Sequence, residues 1–153
     1  MAGRRRVVGE LMNPDVVALR PEMTVPEAQE VLARKSVSGA PVVDDAGRVV
    51  GVVSQNDLVR RSAHAPTAAE AGSFFTSDAD FEDLGRVPAA PSATRVAEVM
   101  SRRVYQVARD TGVAIAANVM RERRVHRLLV TDRGVLVGVV TSLDLLRVVE
   151  EQC

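Results

Sequence analysis

The chain has 153 residues, 46% of them apolar and 3% aromatic, and its 20 basic residues balance 20 acidic ones. A net charge of zero exerts no global pull toward nucleic acid or an anionic membrane, and no recognition motif accompanies the arginines. That length allows one ordinary domain, or two small halves sharing a core built from Val, Leu, Ala and Met. Cys153 has no second cysteine to pair with, which fits a reducing compartment. The basic start Met1-Ala2-Gly3-Arg4-Arg5-Arg6 is followed by no apolar signal segment, because Glu10, Asn13 and Asp15 interrupt it. The longest apolar run, Gly134 to Val140, is far too short to span a bilayer. A soluble cytoplasmic protein is expected, with no membrane contact and no nucleic-acid partner.

In chain order, Val16 to Leu19 reads as a short strand. Thr24-Val25-Pro26-Glu27 is a helix start, with a capping hydroxyl and a proline in the first turn, where its missing N–H costs nothing. Val25, Ala28, Val31 and Leu32 then fall on one helical face. Gly39 to Val43 is a second strand, and Asp44-Asp45-Ala46-Gly47 turns into a third. Ser54-Gln55-Asn56-Asp57 opens another helix. Residues 62–94 are rich in Ala, Ser, Pro and Thr, lack Lys and Arg from Ser62 to Gly85, and hold Phe74, Phe75 and Phe81. Such a segment is either a surface excursion packing its rings on the core or a mobile acidic lid or partner-binding segment.

The order then repeats. Glu10, Met12, Val16, Val25, Ala28, Val31, Val37, Val42 and Asp44 return 88 places later, as Glu98, Met100, Val104, Val113, Ala116, Val119, Val125, Val130 and Asp132. One residue is lost in the turn, and Gly47-Arg48-Val49-Val50-Gly51-Val52-Val53-Ser54-Gln55-Asn56-Asp57-Leu58 then matches Gly134 through Leu145. The second copy predicts a strand from Val104 to Val107, a helix from about Gly112 to Arg123, a hairpin over Val125 to Val140 and a helix from Thr141. The fold class is α/β (α+β), two β-α-β-β-α units in tandem. The boundaries are an arm at 1–6, repeat one at 7–61, the insert at 62–94 and repeat two at 95–153.

Two sets of residues carry candidate chemistry. Asp57 and Asp144 stand three places after Ser54 and Thr141, at a strand end that opens a helix. The pairs can be capping boxes with a purely structural role. An ionised carboxylate can equally accept both hydroxyls of a ribose, with the Ser54 or Thr141 hydroxyl meeting a phosphate at the helix mouth. Around Arg121, Arg123, Arg124, His126 and Arg127, cations sit at a helix C-terminus, either as a solvated cap or, for Arg124, His126 and Arg127, as neutralisers of phosphate. His64 and Cys153 stand too far from His126 for metal-ligand spacing, and no nucleophile–base pair is present. Neither catalysis nor a metal is expected.

The segments Gly39-Ala40-Pro41-Val42-Val43-Asp44 and Gly47 through Leu58, their second-copy counterparts, and the entries Leu11-Met12-Asn13-Pro14 and Val99-Met100-Ser101 resemble a pair of cystathionine-β-synthase (CBS) domains, a Bateman module. The resemblance implies a stand-alone regulatory module and not an enzyme. It implies two units packed through their sheets about a pseudo-two-fold, whose two clefts take AMP, ADP, ATP or S-adenosylmethionine as regulatory ligands, with no cofactor required. It also implies a homodimer acting on a target protein. An adenine needs an apolar slot with backbone groups at its edge. The matching positions are Val16, Val17, Gly39, Ala40 and Pro41 in copy one, where the small residues leave room for a flat base. In copy two they are Val104, Tyr105, Arg127, Leu128 and Leu129; Leu129 departs from the family's proline, and Tyr105 is either a stacking ring or a half-buried strand aromatic. The alternative function is a ligand-free interaction or dimerisation module using the insert from Phe74 to Phe81.

Overall fold

The computed structural model describes residues 5–60, 73–76 and 94–152. Contacts divide the chain into two compact units, Val17–Val104 on one side and Met1–Val16 with Tyr105–Cys153 on the other.

The unit Val17–Val104 is built on a hairpin of β1 (Gly39–Val43) and β2 (Val49–Ser54), antiparallel from Gly39 opposite Ser54 to Val43 opposite Val49. Helix α1 (Val25–Lys35) is entered as its sequence predicts: Glu27 N–H donates to Thr24 Oγ1 at 3.3 Å, and Pro26 sits in the first turn. It ends at Ser36 in the left-handed region, where the chain reverses toward β1. Val25, Ala28 and Leu32 are buried on its inner face, in one cluster with Leu19, Val42, Val53 and Leu58. Helix α2 (Gln55–Arg60) follows β2 directly. Two further short helices complete the unit, α3 (Ser73–Thr76) from the insert and α4 (Val96–Val99), whose Val96 and Val99 join the same core. The strand expected from Val16 to Leu19 does not form. Leu19 alone bridges Val42 in parallel, its N–H donating to Pro41 O and its carbonyl accepting from Val43 N–H. Val16 instead closes a local turn by donating to Pro14 O, so no ladder extends that way.

The other unit carries β3 (Gln106–Ala108), α5 (Val113–Arg123), β4 (Arg127–Asp132), β5 (Val135–Thr141) and α6 (Ser142–Gln152). Its sheet runs β3-β4-β5, with β3 parallel and β5 antiparallel to β4. The third strand begins two residues later than the Val104 start expected. Gly112 caps α5, and Arg124 ends it in the same left-handed conformation as Ser36. Both hairpins turn through a positive-φ glycine, Gly47 and Gly134, and in copy one Asp44 Oδ1 ties the turn by accepting from the N–H groups of Ala46 and Arg48. No helix among the described residues is long and apolar enough to cross a membrane.

Each unit completes its hairpin with the entry segment of the other copy. Residues 8–13 begin with a short 3-10 helix, Val8–Glu10, then pair Asn13 with Val139 through two hydrogen bonds of 2.8 and 3.0 Å. In the other unit Ser101 pairs with Val52 through two bonds of 2.8 Å. Both crossings pass over a glycine beside a β-bulge. A β-carbon on Gly51 would lie 2.7 Å from Met100 Sδ and from Ser101 O, and one on Gly138 would lie 2.5 Å from Met12 Sδ. The glycines in Val-Val-Gly-Val-Val and Leu-Val-Gly-Val-Val are therefore there to let a second backbone approach the strand.

Candidate functional site

In each unit the outer hairpin strand ends in a hydroxyl residue and passes straight into a helix. Gly39 pairs with Ser54, and Arg127 pairs with Thr141, so the start of the inner strand faces the helix mouth. The residue before that strand locks the junction, since Gln55 N–H donates to Ser38 O and Ser142 N–H to His126 O, both at 2.8 Å.

The two carboxylates close reciprocal capping boxes of the same dimensions. Asp57 Oδ2 accepts from Ser54 N–H at 2.9 Å while Ser54 Oγ accepts from Asp57 N–H at 3.2 Å. Asp144 Oδ2 accepts from Thr141 N–H at 2.9 Å while Thr141 Oγ1 accepts from Asp144 N–H at 3.2 Å. The structural role foreseen for these pairs is thus present in both copies. It does not exhaust the chemistry of Asp144. An ionised carboxylate offers about four lone-pair sites, and the cap engages one oxygen of Asp144, whose side chain is half-buried. The second oxygen remains able to accept from a ligand hydroxyl.

The two copies differ in access. Asp57 and Ser54 are each only 5% exposed, whereas Asp144 and Thr141 are both half-buried. The described part of the insert lies in the first unit. Phe75 is fully buried and Phe74 nearly so, their rings edge to face with centroids 4.8 Å apart. Phe74 rests on Gly39, where a β-carbon would be 2.9 Å from its Cδ2 and 3.2 Å from Ser54 Cα. For these two rings the expectation of core packing holds; Phe81 lies outside the described residues. The room that Gly39 was expected to leave for a flat base is filled by the Phe74 ring, a placement nothing in the sequence signals.

Of the remaining candidates, Val17 is half-buried and Ala40 and Pro41 buried in the Val17–Val104 unit, where Pro41 O accepts from Leu19 N–H. Tyr105 is half-buried in the other unit, its carbonyl accepting from Leu129 N–H at 3.0 Å, and Leu128 is fully buried. His126 is exposed, and Arg127 is half-buried with its Nε buried. Arg121, Arg123 and Arg124 are exposed at the end of α5. The unit boundaries fall between Val16 and Val17 and between Val104 and Tyr105, so Val16 and Val104 each belong to the unit that holds the other copy's hairpin. A separate cleft of about 530 Å³ opens at the far end of the β4–β5 hairpin, against Val7, Glu10, Arg109 and Asp132, and none of the candidate residues lines it. No group of three or more potential metal ligands occurs among the described residues.

Comparison with known proteins finds relatives that match nearly the whole chain. CBSX1 of Arabidopsis thaliana, a chloroplastic CBS domain-containing protein, is 31% identical over 147 residues, covering 92% of this chain and 62% of CBSX1. The chain thus spans less than two thirds of that relative. A structure of CBSX2 in complex with AMP superposes with a TM-score of 0.67 at 26% identity, covering 95% of this chain and 97% of the other. The cytosolic domain of the Mg2+ channel MgtE in complex with ATP has the same TM-score at 32% identity, covering 93% of this chain and 48% of that one. Residues 8–64 and 96–151 each match the CBS domain family model, and the chain belongs to the CBS-domain family as a tandem pair.

Proposed function

We propose that this chain is a regulatory module that senses an adenosine-containing ligand, AMP, ADP, ATP or S-adenosylmethionine, and passes the signal to a partner through a conformational shift. The observation that carries this is the half-buried Asp144, anchored by one oxygen to Thr141 N–H and retaining lone pairs for a ribose. The Thr141 hydroxyl, at the mouth of α6, suits a phosphate. Similarity to proteins seen with AMP and with ATP supports the same ligand class. The ligand shifts the module only by as much as its affinity differs between two states. The role is regulatory and not catalytic, with no required cofactor or metal, and the setting is cytoplasmic.

A homodimer is part of the proposal. Leu143, Leu146 and Val149 lie three residues apart on α6 and are 73%, 53% and 55% exposed, and Ile115 on neighbouring α5 is 57% exposed. Apolar side chains so spaced on one helix face suit a second copy of the same surface. The alternative, an interaction module using the insert rings, loses support because Phe74 and Phe75 are turned inward.

A thermal-shift panel of AMP, ADP, ATP, NADH and S-adenosylmethionine tests the reading. A ligand at a hundredfold excess over its Kd adds about 2.7 kcal/mol to the native state, or several degrees for a domain of this size. At least one of the adenosine ligands is expected to give such a rise, and Asp144→Ala to abolish it. A panel with no shift would refute the function.

A further inference from the structure

The two copies share one capping geometry and differ in what lies over it. In copy one the residue opposite Ser54 is Gly39, and Phe74 rests on that glycine; in copy two the matching residue is Arg127, whose own side chain leaves from the same point of the strand. With Phe74 Cδ2 only 2.9 Å from where a β-carbon on Gly39 would stand, no second flat ring fits between the phenyl group and the strand. The ring is 6% exposed and braced by the fully buried Phe75 at an interplanar angle of 88°. The Asp57 and Ser54 side chains are shut off as well, each residue at 5% exposure against half-buried counterparts in copy two. Because the reciprocal capping bonds have the same dimensions in both copies, local backbone geometry does not account for the difference in burial.

We propose that Phe74 is a built-in occupant of the first-copy slot, so that the intact chain takes a single adenosine ligand, at Asp144. This rests on the sensing function above and specifies it. A phenyl ring is flat, apolar and aromatic, the properties an adenine slot selects, and it needs none of the polar edge contacts a base requires. Tethered in the same chain, it faces no diffusing competitor at equal concentration, because its effective concentration is set by the chain and not by the solution. Gly39 is what seats it, since any side chain at that position would meet the ring and Val53 O, 2.8 Å away. Copy two, with Arg127 in that place, offers no seat. The module is therefore asymmetric, with a responsive second copy and a first copy held in a ligand-filled form.

The test is calorimetric titration of the full chain with AMP, ATP and S-adenosylmethionine in four proteins: native, Asp144→Asn, Phe74→Ala and the double variant. One site per native chain is expected, lost in Asp144→Asn, with two sites in Phe74→Ala and one in the double variant. Two sites in the native chain, or one that survives Asp144→Asn, would overturn the proposal. So would a Phe74→Ala chain that folds and gains no site. If the native chain binds nothing while Phe74→Ala does, the sensing role of Asp144 fails and the plug stands; if neither binds, both fail. A readout independent of the alanine variant is Phe74→Trp in a chain that has no tryptophan. Its emission should stay blue-shifted and shielded from acrylamide at saturating nucleotide; nucleotide-induced exposure would overturn the permanent plug.

Discussion

Alanine at Gly51 and Gly138 tests the exchange of entry segments by the sign of its effect. In an open strand, Gly→Ala stabilises by about 0.5–1 kcal/mol, because glycine loses the most freedom on folding. Here the added carbon meets a second segment. At Gly51 one obstacle is backbone: Ser101 O would be 2.7 Å away, and that carbonyl accepts from Val52 N–H in a two-bond bridge. Relieving the clash means shifting or breaking the bridge, so overpacking of about 1–3 kcal/mol is expected, toward the upper end. At Gly138 the nearest atoms are Met12 Sδ at 2.5 Å and Cγ at 2.9 Å, with Asn13 O at 3.0 Å. A methionine side chain moves aside cheaply, so Gly138→Ala should cost about 1 kcal/mol. Urea unfolding measures both, and the companion truncations separate the causes. Met12→Ala should rescue most of the Gly138→Ala loss, whereas Met100→Ala should leave most of the Gly51→Ala loss in place. If either alanine stabilises the chain, the entry segments do not cross these strands.

The two aspartates should differ in stability as well as in binding. Asp57→Ala leaves the buried Ser54 N–H without this acceptor and should cost about 1–3 kcal/mol, while Asp144→Ala, where water can reach the cap, should cost about 1 kcal/mol or less; equal urea midpoints would contradict the difference in burial. Phe75→Ala removes a fully buried ring and should cost about 3–5 kcal/mol, and a loss below 1 kcal/mol in thermal unfolding would mean that the insert does not anchor there. Leu146→Asp on the exposed face of α6 should leave the melting temperature nearly unchanged yet halve the mass seen by sedimentation; an unchanged mass would place the contact between copies elsewhere.

What the sequence discloses here is what local chemistry decides. Ser54-x-x-Asp57 and Thr141-x-x-Asp144 form the boxes their spacing dictates, and Gly47 and Gly134 turn the hairpins through positive φ because only such a residue does so without strain. The α1 stripe of Val25, Ala28 and Leu32 is buried as its period requires. The partner of each entry segment is a different matter. Met12 and Met100 are the same residue before the same kind of hairpin, so pattern alone fits Met12 to Gly51 as well as to Gly138. The strand at Val16 to Leu19 failed for a related reason: its residues have strand character, but Leu19 alone has a neighbouring backbone to pair with. Phe74 was visible as an aromatic in a polar stretch, yet its seat on Gly39 is a tertiary contact between distant segments with no local periodicity to betray it.

The decisive measurement is a crystal structure of the chain with AMP bound. Both ribose hydroxyls should lie within hydrogen-bond distance of the Asp144 carboxylate, with Thr141 N–H still held by its other oxygen. A nucleotide seated with its ribose turned away, leaving Asp144 bonded to its own main chain alone, would contradict the account.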